Sequence, residues 1–126
     1  MYFVENEEKY WEFIRKLRTN EEVMQGFVQQ GDISPEQQEN YMKKYGHMYY
    51  ICILDDKPAG FVGVIDRDIR VATHPDFQKR GVGKFMINEL MKLHPDSLAK
   101  VKVDNQASLR LFESCGFKKK YFILER

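Results

Sequence analysis

The chain has 126 residues, 43% of them hydrophobic and 31% charged, which is apolar material for one core and too little chain for two. Twenty Lys and Arg against nineteen Asp and Glu leave a formal charge of +1, so long-range attraction to nucleic acid or to an anionic membrane is not the organising feature. No apolar run approaches the roughly 20 residues needed to cross a bilayer, and the start, MYFVENEEKYW, is unlike a secretory leader, so a cytoplasmic setting is expected.

No repeat, low-complexity tract or Pro/Gly/Ser linker divides the chain, and residues 1–126 are expected to form a single domain. Tyr2-Phe3-Val4 has the composition of an opening strand. Tyr10, Phe13, Ile14 and Leu17 then recur at helical spacing, and Val23, Met24, Phe27 and Val28 make a second apolar stripe. Ser34-Pro35-Glu36-Gln37 reads as an N-cap, a proline at the first helical position and a capping-box glutamine, opening a third helix that Gly46 stops. The texture then turns aromatic and β-branched: 48–54 and 60–65 read as strands joined at Asp55-Asp56-Lys57-Pro58, and 68–73 as a third strand ending at His74-Pro75. Val82, Phe85, Met86, Leu90 and Leu93 form one helical face. Alternation over 98–103 predicts a strand, 105–113 a helix stopped at Cys115-Gly116, and 121–124 a last strand. This order favours a central mixed sheet covered by helices.

The segment Thr73-His74-Pro75-Asp76-Phe77-Gln78-Lys79-Arg80-Gly81-Val82-Gly83-Lys84 lies between a strand and a helix and is a candidate anion site. Free backbone N–H groups at a helix start bind an anion best where no Cβ blocks approach, and Gly81 and Gly83 remove it there; Lys79, Arg80 and Lys84 add charge. A Walker loop is excluded, since Phe85 follows Lys84, and a dinucleotide fingerprint lacks its third glycine, because Met86 stands there. Cys52 and Cys115 match no metal or redox spacing and read as packed, reduced thiols. His47, His74 and His94 have no carboxylate or thiol at ligand spacing, so no metal is assigned. Trp11, Tyr41, Tyr45, Tyr49 and Tyr50 read as packing, since no basic stripe interleaves them to make a base-stacking platform, and no nucleic-acid or membrane partner is expected.

Gln78-Lys79-Arg80-Gly81-Val82-Gly83 resembles the Gln/Arg-x-x-Gly-x-Gly loop of the GNAT superfamily of acyl-CoA N-acyltransferases. Thr73-His74-Pro75 is similar to that family's Val-His-Pro strand end, and the run from Asn105 through Ser108, Leu111 and Phe112 to Gly116-Phe117 resembles its Asn-x-x-Ala-x-x-Leu-Tyr-x-x-x-Gly-Phe helix. The resemblance, which runs from about Ile51 to Phe117, implies an α/β (α+β) fold whose mostly antiparallel sheet is splayed at its middle and flanked by helices. It implies acetyl-CoA as co-substrate, without a metal. The pyrophosphate would lie on the amides of Lys79 to Lys84, after Gln78. Pantetheine would lie against Val71, Ala72 and Thr73, on a bulged strand, with Asn105, Ser108 and Phe112 on the other side of the thioester arm.

The implied reaction is direct acetyl transfer to a primary amine of a small molecule or amino sugar. The alternatives are a protein N-terminal or lysine acetyltransferase and a non-catalytic acyl-CoA-binding module. Where the family has a tyrosine acid, Phe112 donates no proton, which leaves water, Ser108 or Tyr121. Asp68 is the candidate base, and a backbone N–H near Val71 or Thr73 the oxyanion donor. Lys118-Lys119-Lys120 reads as a charged edge. Only nine residues follow Phe117, fewer than the usual closing hairpin needs, so a homodimer covering the edge at 121–124 is expected.

Overall fold

The computed structural model describes residues 1–24 and 31–126. Its elements are β1 (Tyr2–Glu5), α1 (Glu8–Arg18), α2 (Glu21–Met24), α3 (Pro35–Tyr45), β2 (Tyr49–Leu54), β3 (Lys57–Ile65), β4 (Asp68–Thr73), α4 (Val82–Leu93) and α5 (Gln106–Ser114). Short 3₁₀ turns occupy Gly46–Met48 and Pro75–Phe77. The expected opening strand and first three helices are present. Phe27 and Val28, from the second apolar stripe, lie outside the described residues.

The four strands form one antiparallel sheet in the order β1-β2-β3-β4. Both hairpins turn on two residues, Asp55-Asp56 and Asp66-Arg67, all four with positive φ (53°, 61°, 52° and 67°). Two-residue turns of that hand match the right-handed twist of the flanking strands. One register shift falls in β3, where Cys52 faces Gly60 and Ile53 faces Pro58 so that Ala59 is the extra residue. The displaced Ala59 carbonyl accepts the His74 N–H at 2.8 Å, which ties the bulge to the chain leaving β4.

Because successive strand residues point to opposite faces, the sheet has two cores. Cys52, Val62, Val64 and Ile69 face α4 and α5, meeting Val82, Met86, Ile87, Leu90 and Phe112. Ile51, Phe61 and Tyr49 face α1 and α3, meeting Ile14, Leu17 and Met42. At Gly63, opposite Tyr49, an added Cβ would lie 2.5 Å from the Tyr49 ring, so glycine lets that ring lie flat across the strand. Helix α3 carries the expected capping box, with Gln37 N–H donating to Ser34 Oγ at 3.1 Å and Ser34 N–H to Gln37 Oε1 at 2.9 Å.

Three expectations are corrected. The stretch 98–103 is not a strand: it makes one parallel bridge, Asp68 to Leu98, through Leu98 N–H to Arg67 O (2.7 Å) and Ile69 N–H to Leu98 O (2.9 Å), and then diverges. The stretch 121–124 is not a strand either; Tyr121, Phe122 and Leu124 are each about 90% exposed, with no sheet edge beside them. Nor does β4 bulge, since its register with β3 is unbroken from Gly60–Thr73 to Ile65–Asp68. Splaying comes instead from the chain after Leu98 leaving the β4 edge.

Candidate active site

That divergence opens a cleft of about 900 Å³. One wall is Val71, Ala72 and Thr73 of β4; the opposite wall is Lys102, Asp104 and Asn105 with Ala107, Ser108 and Leu111 of α5. Phe77, Gln78 and Lys79 and the start of α4, Gly81 to Lys84, close one side, and α2 contributes Glu22 and Val23. Ile69 gives its N–H outward to Leu98, and strand groups alternate with a period of two, so the N–H and C=O of Val71 and Thr73 point outward as well. They face the cleft as a strip of backbone with no neighbouring strand among the described residues.

The turn into α4 is built from backbone geometry. Lys79 (φ 64°) and Gly81 (φ 81°) are left-handed on either side of Arg80, and α4 starts with no side chain capping it. Left-handed residues in such a turn make main-chain N–H groups converge in a concavity that favours an anion, and the helix dipole adds to it. The two glycines serve different ends. A Cβ at Gly81 would meet nothing within 4 Å, whereas one at Gly83 would lie 3.0 Å from Leu111 Cδ2 and 3.7 Å from Thr73 Oγ1. Gly81 supplies the left-handed conformation and an open approach; Gly83 lets α4 sit close to α5 and β4.

Across the cleft, Asn105 caps α5, its Oδ1 accepting Ser108 N–H at 3.1 Å, which fixes the end of α5 that faces β4. At its other end α5 stops in a Schellman motif: Phe117 N–H donates to Phe112 O (3.1 Å), Gly116 N–H to Glu113 O (3.0 Å), and Gly116 has φ 92°. The apolar contact typical of that motif is the edge-to-face pair of Phe112 and Phe117, with centroids 5.2 Å apart.

The cleft thus gathers Val71, Ala72, Thr73, Gln78, Lys79, Gly81, Val82, Gly83, Lys84, Asn105 and Ser108. It does not gather every residue expected there. Phe112 is 4% exposed and belongs to the core under the sheet, so its ring is a packing group. The Arg80 side chain turns away to Asp55, 3.1 Å from Nη2 to Oδ2. Asp68 sits at the zipped end beside the Leu98 bridge, 3.8 Å from Arg70, outside the cleft lining. Tyr121 is 90% exposed and also lines no part of the cleft. Among the described residues Glu22 and Asp104 are the carboxylates of the lining, and neither carries a sequence signal: Glu22 sits beside an apolar stripe, where a charge reads as solvated, and Asp104 in an irregular stretch.

Both cysteines are free, and burial pushes the Cys52 thiol up. Among the described residues no three His, Cys, Asp or Glu side chains gather as a metal site requires, and no helix is long and apolar enough to cross a membrane.

A sheet opened beside β4, with an amide-lined turn at the head of the next helix, defines the acyl-CoA N-acyltransferase class, and comparison with solved structures agrees on the fold. The chain superposes on a spermidine N-acetyltransferase from Vibrio cholerae, solved in complex with CoA and spermine, with a TM-score of 0.85 and 19% identity, over 99% of this chain and 85% of that one. A domain from Methanocaldococcus jannaschii gives 0.80 at 18% identity (94% and 88% covered), and a GNAT-family acetyltransferase from Bacillus anthracis 0.76 at 18% (94% and 80%). Among curated protein sequences there is no match. Residues 8–117 match the model of the acetyltransferase (GNAT) family, and the chain belongs to that family.

Proposed function

We propose that this acetyltransferase moves an acetyl group from acetyl-CoA directly to the primary amine of a small molecule or amino sugar. The observation that carries the reading is the continuity of the cleft: a lysine-bearing, amide-lined turn, the unpaired edge of β4 and the Glu22 carboxylate all line one space. The residues fit coenzyme A. The open face at Gly81 and the uncapped start of α4, with Lys79 and Lys84, suit its pyrophosphate. Each charge-assisted hydrogen bond contributes about 1.5–3 kcal/mol, so three or four suffice for micromolar recognition before ordering costs. The outward groups of Val71 and Thr73 suit the amides of the pantetheine arm, with Asn105 and Ser108 opposite.

Bound acetyl-CoA supplies an activated thioester. The chain's part is to hold the carbonyl against an N–H of Val71 or Thr73, which stabilises the developing oxyanion, and to bring in a neutral amine. An acceptor arrives as an ammonium ion, and Glu22 is the carboxylate that attracts it and takes its proton, directly or through water; this role passes to Glu22 from Asp68, which the cleft does not include. The thiolate that leaves is a tolerable leaving group, so Ser108 or water suffices as its proton source.

Thiol release from acetyl-CoA over a panel of polyamines, amino sugars and N-terminal peptides tests the reading. Turnover with a small amine, lowered about 10²-fold or more in Glu22→Gln, is expected. Transfer confined to peptides would make the chain a protein acetyltransferase, and tight binding without release of thiol a non-catalytic acyl-CoA-binding module. The exposed run Tyr121 to Leu124 supports a homodimer that covers it; a monomer in light scattering at micromolar concentration would remove that part.

A further inference from the structure

We infer that Arg80 is a positioning residue, a tether that holds the anion-binding turn to the β2–β3 hairpin, and not a phosphate ligand. Arg80 is the residue between the two left-handed positions, Lys79 (φ 64°) and Gly81 (φ 81°). Its guanidinium lies 3.1 Å from the Asp55 carboxylate and 5.8 Å from the centre of the Phe77 ring. Asp55 is itself set by the tight turn between β2 and β3, where it too is left-handed (φ 53°). A planar cation held between a carboxylate and an aromatic face loses little further entropy, and here it fastens the middle of the turn to a hairpin of the central sheet. The amides of the turn are thereby preorganised, while the positive charges among the described lining residues are those of Lys79, Lys84 and Lys102.

The inference rests on the coenzyme A reading above, and the two make separable predictions. If Arg80 acted on phosphate, Asp55 would compete for it, and Asp55→Asn would tighten coenzyme A binding or leave it unchanged. If Arg80 is a tether, Asp55→Asn and Arg80→Gln weaken binding alike, by roughly two- to fivefold, the range expected for a partly exposed ion pair. The charge-swapped double variant Asp55→Arg with Arg80→Asp then recovers part of the lost affinity, since it restores the ion pair but not the contact of the guanidinium with Phe77. Calorimetry with coenzyme A reads these affinities, and the loss should fall on KM for the donor with kcat nearly unchanged. Hydrogen exchange of the ligand-free protein adds a second readout: both single variants should speed exchange at the amides of 79–83, and the swap should slow it again. Tighter binding in Asp55→Asn, or no rescue by the swap together with unchanged exchange, overturns the tether. Should the wild-type chain bind no coenzyme A, the donor reading fails, and exchange still decides whether Arg80 and Asp55 order the turn.

Discussion

Gly81 and Gly83 stand two positions apart in a motif that treats them alike, yet their surroundings assign them different duties. Gly81→Val places a β-branched residue at φ 81°, with its side chain in the space the amides face. The strain costs about 1–2 kcal/mol of stability, and coenzyme A affinity should fall at least tenfold; an unchanged affinity by calorimetry would contradict the anion turn. Tyr49 shows a different kind of residue effect. Burial first, then the neighbouring Tyr41 hydroxyl at 2.8 Å, pushes its phenol well above the ordinary range. The folded state therefore keeps a proton that the unfolded chain, with a phenol near pKa 10, releases. That stability is complete below about pH 10 and declines as pH rises further, by about 1.4 kcal/mol per pH unit while only the unfolded chain ionises. Urea melts at pH 9 and pH 11 should show a steeper alkaline loss for the wild type than for Tyr49→Phe; equal losses would mean that the phenol is not held by burial.

At the scale of elements, the parts legible in the sequence were those whose signals are local. The capping box at Ser34 and Gln37, the hairpin residues Asp55-Asp56 and the Gly116 stop each specify backbone geometry within four or five residues, and all three are found. The alternation of 98–103 predicts a strand that does not form beyond the Leu98 bridge, because a pattern of side chains does not reveal whether an edge lies alongside. Here the edge is withdrawn to open the cleft, and Val103 is left 93% exposed. Phe112 illustrates a related point: the motif it shares with the family suggests a ligand contact, whereas the Gly-Phe pair that follows α5 signals a helix stop with an apolar partner one turn back, and the ring is buried against Phe117. Glu22 stands next to Val23 and Met24 of the second apolar stripe, where a carboxylate reads as an ordinary solvated side chain. The hairpins carry a testable cost, since none of their four left-handed residues is glycine. Asp56→Gly should stabilise the fold by about 0.5–1 kcal/mol in urea denaturation; destabilisation would mean that Asp56 makes contacts that outweigh its conformation.

For the whole molecule, the arrangement is one of division: the sheet has helices α1 and α3 on one face and α4 and α5 on the other, and the cleft lies where the chain after Leu98 parts from β4. The proposed function depends on that parting, because a zipped edge would leave neither backbone for pantetheine nor room for an acceptor. A second groove, about 640 Å³, lies between Met1 to Val4 and Phe85, Glu89, Lys92 and Leu93, with no lining residue in common with the cleft. It serves as an internal control for where a donor binds. The most direct measurement is amide chemical-shift mapping of the isotopically labelled chain during titration with coenzyme A. Shifts concentrated at 71–73 and 79–84, saturating at micromolar ligand, are the predicted result; shifts that cluster at residues 1–4 and 85–93, or none at all, would contradict it.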